Sequence, residues 1–165
     1  MIERKLMAHY IDSGFGDKGS NDSYTPAYVR LGKDLEEYNI ELNPDTETRK
    51  NILGESTFKH KGYEASSNAD PYYAEKDDPL FEKLQAIVDE RKTGDACKTT
   101  AVEVHLWDEA TPTGSYTAYR EDCYVVPTSY GGDTSGYQIP FTVYYTGNRV
   151  KGTFALANKT FTADT

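Results

Sequence analysis

Alternation of apolar and polar residues marks much of the second half of the chain as strand. From Ala101 to Trp107, Val102, Val104 and Leu106 fall on one face, the period of a half-buried strand. Further strands are predicted over Ser115 to Arg120, Asp122 to Thr128 and Tyr137 to Tyr145, the last with Ile139, Phe141, Val143 and Tyr145 aligned. Thr146-Gly147-Asn148 then reads as a hairpin turn. Arg149 to Leu156 returns with Val150, Phe154 and Leu156 inward and Arg149, Lys151 and Thr153 outward.

In the first half, Leu35 to Leu42 alternates with Tyr38, Ile40 and Leu42 on one face and Glu37, Asn39 and Glu41 on the other. A strand is expected there, ended by Asn43-Pro44-Asp45. Residues 46–74 are polar and mixed, with a short strand expected over Ser56 to Tyr63. Pro79 to about Lys92 has helical spacing at Leu80, Leu84, Ile87 and Val88, with Asp78 as N-cap and Pro79 at the first helical position. Gly94 is the expected stop. Residues 1–34 read as irregular. Within them Asp12 to Thr25 is rich in Gly, Ser, Asn and Asp, the composition of a long surface loop or of an arm that orders on contact with a partner. The expected fold is mainly β: a β-sandwich or small barrel with one flanking α-helix and a long N-terminal loop or arm, in a single domain spanning 1–165 without internal repeats.

Composition changes this picture in two ways. The 165 residues carry a formal charge of −9, and 14 of them are Tyr. Tyr suits half-buried strands and interfaces, because its ring packs while its hydroxyl stays wet. The acidic balance argues against tight binding of nucleic acid, whose phosphates are held by cationic surfaces. No apolar run approaches the roughly 18 residues of a bilayer span, so no membrane partner is expected. The first ten residues lack the continuous apolar segment of a secretory signal. Synthesis in a reducing cytoplasm is expected, with Cys97 and Cys123 as reduced, partly buried thiols.

Candidate chemistry is sparse. Gly14-Phe15-Gly16-Asp17-Lys18-Gly19 matches a dinucleotide fingerprint by letter, but Ser20 to Pro26 cannot open the helix such a site needs. His9, His60 and His105 stand at no metal-ligand spacing. Asp77-Asp78 is explained by helix capping, and no GxSxG elbow occurs. Asn21-Asp22-Ser23 and Asn158-Lys159-Thr160 match the glycosylation sequon, read as chance without a secretory signal. No catalytic residue, cofactor or metal is expected, so the question becomes one of assembly.

Several segments together resemble a known family. Leu42-Asn43-Pro44-Asp45-Thr46-Glu47-Thr48, Ile52-Leu53-Gly54-Glu55 and Lys61-Gly62-Tyr63-Glu64 look like the N-terminal part of major tail proteins of phages and prophages of Gram-positive bacteria. Asp70-Pro71-Tyr72-Tyr73-Ala74, Thr93-Gly94-Asp95-Ala96, Pro127 to Asp133 and Gly147 to Thr153 continue the pattern in order. The resemblance covers roughly residues 35 to 156. It implies a tail-tube protein of the virion tail, made in the bacterial cytoplasm, whose hexameric rings stack into a hollow tube for genome passage. Its implied partners are further copies of itself, the tape-measure protein, and terminator or baseplate proteins. DNA would pass without tight binding.

On that reading the expected subunit contacts are Asp12, Gly14, Gly16, Gly19 and Tyr24 of the arm, together with outward Arg149 and Lys151 paired to acidic groups of a neighbour. Glu37 and Glu41 are the lumen candidates, since a negative wall repels phosphate. A second reading is another β-sandwich interaction module, such as a secretion-system tube subunit, a capsid-decoration domain or an adhesion domain. A third is a small enzyme with an unrecognised site.

Overall fold

The computed structural model describes residues 1–16 and 24–164. The chain is mainly β, as its alternation predicts, with one α-helix. The strands are β1 (Met7–Asp12), β2 (Tyr28–Arg30), β3 (Pro44–Lys50), β4 (Ser56–Tyr63), β5 (Ser66–Ala69), β6 (Lys98–Ala110), β7 (Ser115–Pro127), β8 (Gly131–Asp133), β9 (Gly136–Gln138), β10 (Phe141–Tyr145), β11 (Val150–Ala155) and β12 (Thr160–Ala163). The helix α1 runs Pro79–Glu90.

One antiparallel sheet runs β12-β11-β7-β6-β1-β2, and β10 with β5 joins it along the far half of β7. Tyr10 of β1 and Phe154 of β11 meet with ring centroids 4.6 Å apart, although β6 and β7 lie between their strands. The sheet is therefore curled. Ala8, Tyr10, Tyr28, Val102, Val104, Ala118 and Phe154 fill the inside of the curl. The opposite face, with Ile11, Ala101, Cys123, Val125 and Val143, packs against Leu80, Leu84 and Val88 of α1.

The helix follows its sequence signals. The Asp78 carboxylate accepts from the Leu80 N–H at 3.0 Å, and the residues at helical spacing are the buried ones. It ends at Glu90, two residues short of the expected Lys92, and its cap is Arg91 in the left-handed conformation rather than Gly94.

Several expectations are corrected. Residues 1–34 are not irregular throughout, because β1 lies between β6 and β2 and is buried along almost its whole length. Leu35 to Leu42 forms no strand. Tyr38 is buried there by its own contacts, and only Glu41 makes a β-bridge, to Ser66. Asn43-Pro44-Asp45 begins β3 rather than ending a strand. The two strands expected over 115–128 are one. Conversely, the strand expected over 137–145 breaks between β9 and β10, at Pro140, which has no N–H to donate. Thr146-Gly147-Asn148 does not reverse the chain: β10 and β11 both run antiparallel to β7 on the same edge, and the Thr146 N–H still bonds the Asp122 carbonyl. The segment is a jog in one long path, with Gly147 at φ +91°.

Candidate functional site

Two features stand outside this packed body and adjoin each other: a projecting hairpin and a cavity at its foot. The hairpin is β3–β4, paired over Pro44↔Tyr63 to Lys50↔Ser56 with a register shift after Asp45. It belongs to no other sheet. Of its fifteen strand residues only Glu47 and Gly62 are even partly covered. One face carries Thr46, Thr48, Phe58 and His60, and the other carries Glu47, Arg49, Thr57 and Lys59. Glu47 pairs with Arg49 and with Lys61, the latter at 3.1 Å.

The hairpin tip is tightly organised. The Asn51 side-chain oxygen accepts from the N–H groups of Leu53 at 2.9 Å and Glu55 at 3.0 Å, and the backbone closes with Asn51 N–H on the Glu55 carbonyl and Gly54 N–H on the Asn51 carbonyl. Gly54 takes φ +80°, a conformation that favours glycine. The turn so fixed turns two apolar side chains to water: Ile52 is 102% exposed and Leu53 76%.

At the opposite end, Leu42 and Tyr63 line a cavity of about 620 Å³. It lies on the same sheet face that α1 covers, but beyond the helix, and Tyr38, Asn39 and Ile40 form one wall. Tyr38 is anchored inside: its hydroxyl accepts from Ser67 at 2.6 Å and lies 3.1 Å from the Tyr145 hydroxyl, while its ring meets His9 edge-on at 4.7 Å. Arg4 holds the same segment by donating to the Tyr38 carbonyl at 2.8 Å.

The floor is charged but internally paired. Arg149 reaches Glu103 and Glu121, each at 3.3 Å, and stacks its guanidinium 4.4 Å over Tyr119. Glu103 also meets the His105 ring nitrogen at 2.8 Å, and Glu121 accepts from the Gly147 N–H at 3.1 Å. Burial alone would raise the Glu103 carboxyl, but its bonds to His105 and Arg149 hold it below the usual value. Burial, aided by Arg4, lowers His9 to about 4, so it is neutral at physiological pH. Among the described residues, every buried side-chain nitrogen and oxygen has a partner, and no three His, Cys, Asp or Glu side chains converge on a metal position.

The residues singled out from sequence divide. Arg149 lines the cavity and is paired within its own chain, to Glu103 and Glu121. Lys151 is exposed one step along, opposite Tyr119. Asp12, Gly14 and Tyr24 are joined within the chain: the Asp12 carboxylate accepts from Gly14 N–H at 2.9 Å, Ala27 N–H at 3.0 Å and the Tyr24 hydroxyl. A Cβ at Gly14 would come within 2.5 Å of that hydroxyl. Gly16 is exposed at φ +75°. Gly19, with the rest of residues 17–23, lies outside the described residues.

Glu37 and Glu41 are exposed but not on one strand face. Glu37 accepts from Asn39, and Glu41 pairs its backbone with Ser66. Cys97 and Cys123 are both buried free thiols, and burial together with Glu121, Asp122 and Asp12 pushes Cys123 up to about 12.

Sequence reasoning missed the first hairpin strand and the cavity. A signal for the hairpin was present: two segments rich in Thr and charge flank a turn containing Asn51 and Gly54. No family model matches the sequence, and no curated protein matches it.

Proposed function

We propose that this chain is a structural assembly protein, a tail-tube subunit that associates with copies of itself into hexameric rings stacked as a hollow conduit for DNA. The observation that carries the self-assembly is the uncovered β3–β4 hairpin. A lone two-stranded hairpin is marginally stable in water, and this one holds Ile52, Leu53 and Phe58 in solvent. Exposed apolar surface on a projecting element is the mark of an interaction surface.

The assignment to tail tubes rests on the motif resemblance over residues 35 to 156. The net charge of −9 fits a conduit through which DNA slides, since few cations are available to hold phosphate. Tape-measure and terminator or baseplate proteins are the further partners this role entails.

Sedimentation of the purified chain against a variant with residues 45–62 replaced by a short Gly-Ser turn tests the proposal. The wild-type chain should form concentration-dependent oligomers, and the shortened chain a folded monomer. A wild-type chain monomeric at every concentration would overturn it.

A further inference from the structure

The tip of the hairpin and the cavity at its foot have matching needs. Ile52 and Leu53 are presented to water by a turn whose backbone is already fixed, so burying them costs little ordering. The cavity of about 620 Å³ lies within the roughly 300–1,000 Å³ range of sites that engulf a ligand. Exposed Leu42 and Tyr63 and half-buried Ile40 give it apolar surface near the opening, with Tyr38 and Tyr145 inside and a floor closed by Arg149.

We propose that the Ile52–Leu53 tip of one copy inserts into the cavity at the hairpin foot of the next. This inference rests on the self-assembly reading above and names its contact. The tip cannot reach its own foot. Seven residues at about 3.3 Å each separate them by roughly 20 Å of paired ladder, so the occupant comes from another molecule.

Charge favours a second copy as that molecule. The hairpin, residues 44–63, carries four cations (Arg49, Lys50, Lys59, Lys61) against three anions, whereas the rest of the chain carries fourteen against twenty-four. An arm of net +1 thus meets a body of net −10, and like-charge repulsion between bodies is lowest where the arm docks. Tip and foot are different surfaces, so the contact is heterologous. Such a contact repeats head to tail, and it closes into a ring or grows as a filament.

Half-site complementation tests the proposal. One variant, I52D/L53D, loses the tip and keeps the foot; another, I40D, loses the foot and keeps the tip. Circular dichroism should show both folded. Each alone should be monomeric, with self-association weakened at least about 100-fold by the unmet apolar burial. Mixed, they should form a one-to-one heterodimer and nothing larger, because only one working tip and one working foot remain.

A second arm does not depend on I40D folding. L53C and I40C chains, mixed and mildly oxidised, should give a disulfide-linked dimer that neither gives alone. If wild-type chains assemble but neither the heterodimer nor the mixed disulfide forms, this contact is wrong and the assembly role stands. If wild-type chains do not assemble at all, both fall.

Discussion

At the scale of single residues, the polar groups of the cavity floor make stability depend on pH. His9 is buried and neutral, with its value lowered to about 4 from 6.5. Between those values the unfolded chain binds a proton that the folded chain does not, so stability falls as pH falls. The loss between pH 7 and pH 5 amounts to about 2 kcal/mol. Glu103, held below the usual carboxylate value, adds a loss of the same sign as pH falls further. His9→Gln removes the first part, so urea midpoints at pH 7 and pH 5 should differ far less in the variant. Equal pH dependence in both proteins would show that His9 is not held neutral. The buried thiols give a second check. Cys97 and Cys123, both raised by burial, should resist alkylation in the native chain at pH 8 and react in urea. Neither the burial of His9 against Tyr38 nor the Arg149 bridge was legible in the sequence, because each joins residues more than twenty positions apart.

At the scale of elements, legibility followed the pattern of burial. The helix has one buried stripe and was readable nearly to its last turn. Leu84→Ala should cost about 2–5 kcal/mol in a urea titration, since Leu84 is fully buried against the sheet. Glu82→Lys, in the first turn, should cost within about 1 kcal/mol through the helix dipole alone. Comparable losses for the two would place the helix face wrongly. Strands with one face on the core, β11 and the part of β6 beyond Ala101, showed their alternation plainly. By contrast β1 was illegible. It is covered on both sides, by the inner core at Tyr10 and by the helix-side core at Ile11, and its His9 and Asp12 are buried too, the first against the Tyr38 ring and the second in hydrogen bonds, so no polar period survives. The stretch Leu35 to Leu42 failed in the opposite sense: it alternates, yet Tyr38 is buried by its own hydroxyl and ring contacts rather than by a ladder. Close packing between strands also leaves a signature. A Cβ at Gly152 would strike the backbone of β12 and lie 2.7 Å from the Phe161 ring, so Gly152→Val should detach β12 and cost about 1–3 kcal/mol, measured by thermal unfolding.

At the scale of the whole molecule, a curled sheet with one helix forms a self-sufficient body, and the hairpin is the part that this body does not need. Its strands contribute nothing to either core, and on the proposed reading its exposed apolar tip is a surface completed by another copy. The acidic body carries a further expectation: at physiological salt, double-stranded DNA should bind weakly or not at all, because net −10 outside the hairpin offers phosphates no cationic stripe. Salt-sensitive DNA binding by the wild-type chain, read by fluorescence anisotropy, would contradict a conduit role. On the proposed reading the chain builds a tube from itself. Negative-stain electron microscopy of the concentrated 165-residue chain should show six-membered rings and stacked hollow tubes. A field of uniform monomers, unchanged by concentration, would rule the tube out.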